Sequence, residues 1–215
     1  MLFRSRVCDY IPDFARHGKH AITIRHLLSH RAGVPNPPPH AMDPDLLATP
    51  ERIVELLCDE KPLTRPGARL AYHAITSGFL LAEVARVATG RDLQTLLREE
   101  IREPLGLHGM AYGAAPEDLG RVAENAFTGT PVLPPVSGIF RRVLGIDFER
   151  VVEISNDPRF LSGVLPSGNV VATADEMCRF MEMLRRGGEL DGVRLFDPRR
   201  SEEHTSELQS PCNLV

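Results

Sequence analysis

Lysine is scarce in this chain of 215 residues, since Lys19 and Lys61 are its only two. The formal net charge is -4, which excludes the basic surface typical of nucleic-acid-binding domains. No apolar run is long enough to cross a bilayer as a helix. The 4 cysteines lack Cys-x-x-Cys spacing, which argues against a zinc cluster or redox pair and favours small apolar fillers. With 42% hydrophobic and 25% charged residues, the composition predicts one ordinary globular domain.

The stretch around Tyr72 organises the rest of the chain. A turn at Pro66-Gly67 delivers the chain to Tyr72, and an amphipathic helix then runs to a stop at Gly90. The apolar face of that helix is marked by Ile75, Phe79, Leu80, Val84 and Val87. A tyrosine between a tight turn and a buried helix is well placed to hold a phenol rigidly at a cleft.

The block 22–33 predicts a short helix with Thr23 as its N-cap and Gly33 as its end. Its histidines, His26 and His30, are four residues apart and would share one helix face. That spacing occurs in zinc peptidases, but Leu27 stands where those enzymes carry an acid after the first histidine. We therefore favour hydrogen-bonded structural histidines over a metal site.

Further elements are predicted from the same kinds of signal. They are a Pro-rich loop over 34–45, a helix from Thr49-Pro50 to Lys61-Pro62, a helix from Leu93 ending at Pro104, a strand over 109–114, a long loop over 116–148, a helix over 173–186 and a turn at Asp191-Gly192. Thr173 and Glu176 form a capping box at the start of the last helix. Its apolar stripe, predicted to be core, consists of Met177, Phe180, Met181 and Leu184.

Several of these motifs resemble one protein family. Tyr72-His73-Ala74 with the following 78–84 resembles the second active-site motif of the serine β-lactamase-like hydrolases. That family includes class C β-lactamases, D-Ala-D-Ala carboxypeptidases and family VIII carboxylesterases. The block 22–33 is similar to another recognisable segment of the family, with Arg31-Ala32 where Thr-Ser is usual. The resemblance extends over about 9–196, and it implies an α+β, β-lactamase/transpeptidase-like fold. The chain would hold mainly the helical lobe, with much of the antiparallel sheet missing.

The resemblance also implies a reaction through an acyl-serine intermediate. The family uses a serine three residues before a lysine, a tyrosine that shuttles the proton, and a third motif, Lys-Thr-Gly or His-x-Gly. A serine hydroxyl is a weak nucleophile until a neighbouring base takes its proton. Neither Lys19 nor Lys61 has a serine three positions before it, so the chain lacks the Ser-x-x-Lys motif. Tyr72 remains as the candidate catalytic residue, with a buried structural tyrosine as the alternative.

Ala74 departs from the family pattern, which carries asparagine at this position. In the family that asparagine contacts the amide side chain of a β-lactam, so its loss favours a carboxylesterase-like hydrolase over a β-lactamase. His73 is a candidate substrate-binding residue, with a role behind the site or on the surface as the alternative. The expected partner is a small ester or amide, and no metal, cofactor or nucleic acid is expected. The chain alone is expected to be inactive.

The hydrolase function has two alternatives. One is a non-catalytic sensor or ligand-binding module of the same fold, and the other is an unrelated helical interaction protein. No Gly-x-Ser-x-Gly elbow is present, which excludes an α/β-hydrolase active site of that type. Compartment, cytoplasmic or periplasmic, and oligomeric state stay open.

Both ends of the chain look artificial. The segment from Arg200 to Ser210 resembles the translation of a common short-read sequencing adapter, and 1–5 resembles the end of the companion adapter. We therefore expect residues 1–5 and 200–215 to be adapter-like artefacts in a reading frame from metagenomic DNA. Residues 6–199 would form a partial β-lactamase-related domain. The alternative for the tail is a disordered acidic segment.

Overall fold

A computed structural model describes residues 2–130, 133–138, 141 and 146–198 of the chain. The predicted adapter-like tail, 200–215, lies outside the described residues, as do parts of the predicted loop 116–148. The described residues are mostly helical, and their strands are two residues long. This composition of elements agrees with the helical lobe of the β-lactamase/transpeptidase-like fold that the sequence resemblance implies.

The chain divides into two compact units. The first comprises the described residues of Met1–Leu93 and Tyr112–Val170, and the second comprises those of Gln94–Ala111 and Val171–Val215. The α-helices are α1 (Ile24–Leu28), α2 (Pro44–Leu47), α3 (Pro50–Asp59), α4 (Thr76–Thr89), α5 (Leu93–Leu97), α6 (Glu103–Leu105), α7 (Phe148–Ser155), α8 (Pro158–Ser162) and α9 (Ala174–Arg185). The strands are β1 (Ala111–Tyr112), β2 (Val170–Val171), β3 (Glu189–Leu190) and β4 (Val193–Arg194). Tight helical turns occur at Leu2–Arg4, Val7–Asp9, Pro12–Ala21, Pro39–Met42 and Pro116–Arg121.

The first unit has its own apolar core. Its largest fully buried apolar side chains are Phe14, Ile22, Leu27, Ile53, Leu57, Phe79 and Leu80. Lys19 is buried with them, and its ammonium group donates to the carbonyl oxygens of Cys58 at 2.7 Å and Glu60. These carbonyls lie at the end of α3, where a cation satisfies orphan acceptors and opposes the negative end of the helix dipole. The sequence pattern did not identify this buried ammonium.

The second unit packs α9 on a small apolar cluster formed by Leu105, Leu107, Met110, Met183 and Leu190. The predicted capping box is confirmed, since Thr173 accepts from the Glu176 amide at 3.2 Å and the Glu176 carboxylate accepts from the Thr173 amide at 3.0 Å. The predicted turn at Asp191-Gly192 is also confirmed, with both residues at positive φ. The turn joins β3 and β4 as an antiparallel hairpin. Positive φ at both residues is the geometry typical of a two-residue hairpin loop.

The prediction for the stripe of α9 is wrong in part. Met177 is 40% exposed and Met181 is 57% exposed, whereas Met183 is completely buried. Helical spacing permits two overlapping stripes on this helix, and Phe180 and Leu184 belong to both. Contact with the apolar cluster selects the stripe that contains Met183.

The helix predicted to end at Pro104 continues past it. Residues 98–102 form a π-helical segment, and Pro104 then lies in the first turn of α6. The missing amide donor of Pro104 falls directly after the π-helical segment, where the regular hydrogen-bond pattern of the helix is already changed. The helix ends at Gly106, which adopts the left-handed conformation with φ 64.

The other element predictions had mixed outcomes. The helix from Pro50 and the stop at Gly90 are confirmed, although Val87 of the predicted face is 46% exposed. The strand predicted over 109–114 is only β1. The filler reading of the cysteines holds for buried Cys58 but not for exposed Cys178. Among the described residues, no helix has the length and apolar character needed to cross a membrane.

Candidate active site

Tyr72 lies in an irregular segment between the Pro66-Gly67 turn and the start of α4. Its residue exposure is 54%, whereas that of the adjacent His73 is 1%. The chain therefore presents the phenol outward and buries the next side chain in the core of the first unit. The predicted placement of Tyr72 beside a turn and a buried helix is confirmed, with a short spacer before the helix begins.

The segment is anchored on both sides of Tyr72 by one residue of the block 22–33. The Ala71 amide donates to the His30 carbonyl oxygen at 3.0 Å. The His73 amide donates to Nδ1 of the His30 ring at 3.2 Å. Further back, the Gly67 amide donates to the Arg31 carbonyl oxygen at 2.8 Å. The two motifs singled out in the sequence are thus bonded to each other.

The rings of Tyr72 and His30 are in contact. Their centroids are 4.8 Å apart and their planes are inclined by 56°. The His73 ring is also near the His30 ring, with a centroid distance of 6.0 Å and an interplanar angle of 23°. His30 is therefore near both an exposed phenol and a buried imidazole. Burial lowers the pKa of His30, which favours its neutral form.

His73 is held as a neutral ring of one tautomer. The Val34 amide donates to its Nε2 at 3.2 Å, so this nitrogen carries a lone pair. The other nitrogen, Nδ1, then carries the proton and donates to the Ala71 carbonyl oxygen. Burial lowers the pKa of His73 to about 4. Both ring nitrogens of His73 bond to backbone groups in the core. His73 therefore lies buried next to the exposed Tyr72.

Two buried hydroxyls that sequence reasoning missed bond the start of α4 to the block 22–33 and to Val34, which follows it. The Thr76 hydroxyl donates to the Val34 carbonyl oxygen at 2.8 Å, and the Ser77 hydroxyl donates to the Leu27 carbonyl oxygen at 3.1 Å. Both residues are nearly inaccessible. Small hydroxyl side chains on the buried face of an otherwise apolar helix are the signal that would have pointed to them.

The prediction that α1 ends at Gly33 is wrong. The helix ends at Leu28, and His30 turns into the left-handed region with φ 55. The predicted common helix face of His26 and His30 is wrong for the same reason. Gly33 serves a different purpose, because a Cβ there would collide with the Thr64 carbonyl oxygen. The Thr23 cap is confirmed by the 3.3 Å bond from the His26 amide to its hydroxyl.

No metal cluster accompanies these histidines. The His26 Nδ1 accepts from the Thr23 amide at 3.2 Å, so this ring serves the helix cap. Within the part of the chain that the structure describes, no group of three or more His, Cys, Asp or Glu residues is arranged to hold a metal ion.

A loop from the later part of the first unit packs against α4. Ser167 lies so close to Gly78 that a Cβ on this glycine would be 2.8 Å from the Ser167 Cβ. Asn169 shapes the loop, since its Oδ1 accepts from the Leu165 amide at 2.9 Å. Its Nδ2 donates to the carbonyl oxygens of Phe160 at 2.8 Å and Gly163 at 2.7 Å. One side chain thus satisfies three backbone groups.

We predict that Asn169→Ala lowers the free energy of unfolding by about 3 kcal/mol, because it leaves buried backbone groups without partners. Urea unfolding measures this change. The matched control is Asn156→Ala. The Asn156 side chain bonds to the backbone of Asn125, and it is less buried than the Asn169 side chain. We expect the control to cost about 1 kcal/mol. Equal losses for the two variants would show that Asn169 has no special role in the loop.

Comparison with known proteins identifies the family. The family model described as Beta-lactamase matches residues 3–212 of the chain. The chain belongs to the beta-lactamase family. It is 30% identical over 210 residues to the esterase/beta-lactamase LipL of Mycobacterium tuberculosis, an alignment that covers 90% of this chain and 47% of LipL.

Solved structures of related proteins share the fold. A penicillin-binding protein homologue from Caulobacter crescentus is 30% identical, with a TM-score of 0.75, and the match covers 93% of this chain and 53% of that one. A family VIII carboxylesterase is 26% identical, with a TM-score of 0.77, and the corresponding coverages are 94% and 53%. The chain therefore spans about half the length of these relatives.

Proposed function

We propose that this chain is part of a serine hydrolase that cleaves an ester or amide through an acyl-serine intermediate. The observation that carries the proposal is the geometry of Tyr72. Its phenol is half-exposed, while hydrogen bonds at both neighbouring residues hold the backbone in place. A proton carrier needs access to the reacting atoms and a fixed position. Membership of the beta-lactamase family supports the same role.

In the proposed reaction, the serine of a Ser-x-x-Lys motif elsewhere in the whole protein attacks the substrate carbonyl. As the new C–O bond forms, the proton of the serine hydroxyl passes to the oxygen of Tyr72, which acts in its phenolate form after the lysine of the same motif has taken the phenol proton. Tyr72 then delivers a proton to the leaving alcohol or amine, whose bond to the carbonyl carbon breaks. Water then attacks the acyl-serine and passes a proton to Tyr72. Tyr72 returns a proton to the serine oxygen as the acid is released. This chain supplies Tyr72 and the scaffold behind it, but not the nucleophile.

We place the substrate among simple esters rather than β-lactams. Ala74 offers no side-chain amide at the position where the family pattern carries asparagine. One structural neighbour is a carboxylesterase, which supports this choice, whereas the relative named esterase/beta-lactamase is compatible with both kinds of substrate. His73 acts behind Tyr72, as part of its support, because its ring is buried and engaged. The test is the ratio of p-nitrophenyl ester to chromogenic cephalosporin turnover by the whole protein from the source DNA. A higher kcat/KM for the cephalosporin would contradict the choice.

We predict that the 215-residue chain alone does not hydrolyse p-nitrophenyl acetate faster than its Tyr72→Phe variant does. The reason is that neither of its lysines follows a serine at the required spacing, so no activated nucleophile is present. Initial rates at equal protein concentration provide the measurement. Turnover by the chain that disappears in Tyr72→Phe would contradict the assignment of the nucleophile to a segment outside this chain.

A further inference from the structure

His30 contacts three consecutive residues around the candidate catalytic phenol. Its carbonyl oxygen accepts from the Ala71 amide at 3.0 Å, and its Nδ1 accepts from the His73 amide at 3.2 Å. Its ring contacts the Tyr72 ring at a centroid distance of 4.8 Å. Backbone and side chain of a single residue therefore bracket Tyr72 from both sides.

We propose that His30 is a positioning residue for Tyr72, one that fixes the backbone on either side of the phenol and sets the orientation of its ring. The proposal rests on the proposed function, since positioning matters for catalysis only if Tyr72 carries the proton. The family comparison assigns no role to His30. Its physical content, the placement of the Tyr72 ring, is measurable in this chain without any turnover.

The backbone of His30 adopts an uncommon conformation that the arrangement requires. Its φ of 55 lies in the left-handed region, which only a few per cent of residues other than glycine adopt, with histidine, asparagine and aspartate the most frequent among them. His30 is the left-handed residue that follows α1, where its amide donates to the Leu27 carbonyl oxygen at 3.1 Å and the Arg31 amide donates to the His26 carbonyl oxygen at 2.7 Å. Here it reverses the chain directly after α1 and presents both acceptors of His30 to the Tyr72 segment.

The chemistry of the ring fits the same role. Because Nδ1 accepts a hydrogen bond from an amide, the neutral ring carries its proton on Nε2. Protonation of Nδ1 would remove the acceptor for the His73 amide. Burial lowers the pKa of His30 and so favours the form that keeps this bond. An asparagine at this position would tolerate the left-handed backbone and offer a carbonyl acceptor, but it has no ring to contact Tyr72.

The tyrosine content of the chain makes a direct test practical. The chain has three tyrosines, Tyr10, Tyr72 and Tyr112, and no tryptophan. Carbon-13 labelling of tyrosine rings therefore gives a simple proton–carbon NMR spectrum, and Tyr72→Phe assigns the signal of Tyr72. Tyr10 and Tyr112 report on the remaining fold in the same sample. Amide hydrogen exchange at His73 reports on the hydrogen bond from the His73 amide to Nδ1 of His30.

For His30→Ala we expect the Tyr72 signals to move towards those of a free tyrosine, with Tyr10 and Tyr112 unchanged. We also expect exchange of the His73 amide to become about tenfold faster, as expected for the loss of one hydrogen bond. The control is His26→Ala, which removes another ring of the same block that bonds to the Thr23 amide. The proposal predicts unchanged Tyr72 signals in this control.

His30→Asn separates the two parts of the proposal and remains informative if His30→Ala fails to fold. We expect it to keep slow exchange at His73 while the Tyr72 ring signals still shift, because the acceptor returns without the ring. Tyr72 signals identical to wild type in His30→Asn would overturn the proposal, as would equal shifts in His26→Ala. A Tyr72→Phe enzyme with full activity would instead refute the proposed function and leave the NMR result intact.

Discussion

Replacement of Tyr72 by phenylalanine is expected to lower kcat for a p-nitrophenyl ester by about 10²- to 10⁴-fold in the whole protein, the range typical of lost general acid–base catalysis. The variant lacks only the hydroxyl, so the ring contact with His30 at 4.8 Å is retained. KM should change little, because the proton transfer belongs to the transition state rather than to ground-state binding. Steady-state kinetics over a range of substrate concentrations measure both constants.

Tyr10→Phe provides the matched control for this experiment. It removes the same hydroxyl from a tyrosine that packs against the core of the first unit and lies outside the Tyr72 segment. We expect kcat for this control within about twofold of wild type, since it does not touch the reacting atoms. A Tyr72→Phe enzyme that retains wild-type kcat would sink the catalytic role and leave Tyr72 as a structural residue.

Lowering the pH from 7 to 4 is expected to reduce the stability of the chain by about 3 kcal/mol through His73 alone, at about 1.36 kcal/mol per pH unit. Burial lowers the pKa of His73 from 6.5 to about 4 in the folded state. The unfolded chain therefore takes up a proton near pH 6.5, whereas the folded chain resists protonation until about pH 4. The stabilisation that neutral His73 contributes is complete above pH 6.5 and is lost as the pH falls from 6.5 to about 4.

The measurement is urea unfolding at several pH values between 7 and 4 for wild type and His73→Gln. Glutamine keeps a donor and an acceptor but does not titrate, so the variant should show a shallower pH dependence. Burial also lowers the pKa values of His26 and His30, which contribute with the same sign in both proteins. The same change at the exposed His20 leaves the buried imidazole in place and serves as the control. Equal pH dependence in wild type and His73→Gln would rule out this account of the buried ring.

The elements with local signals were predicted well from the sequence. Thr23 and Thr173 begin their helices as predicted, and Gly90 ends α4 with φ 72. In each case a capping side chain or a left-handed glycine satisfies the helix end within a few residues. The Asp191-Gly192 turn is local in the same sense. Such features depend on residues that are close in sequence, so the amino-acid sequence alone is enough to predict them.

The site was predicted only in part, because its support depends on contacts between distant residues. Tyr72 was identified from its motif, but the bond from the His73 amide to His30 joins residues that are 43 positions apart. The left-handed conformation of His30 was also not predicted, because a histidine tolerates this conformation without specifying it. The same limit applies to Met183 of α9, whose burial was decided by the apolar cluster of the second unit.

The central claim is that Tyr72 belongs to an acyl-serine hydrolase. The most direct measurement is to express the whole protein from the source DNA, treat it with a fluorophosphonate probe and map the adduct by mass spectrometry. We predict one adduct, on a serine three residues before a lysine in a segment outside this chain. A whole protein without Ser-x-x-Lys, or one that takes up no probe, would contradict the claim. The chain would then belong to a non-catalytic sensor or ligand-binding module of the same fold.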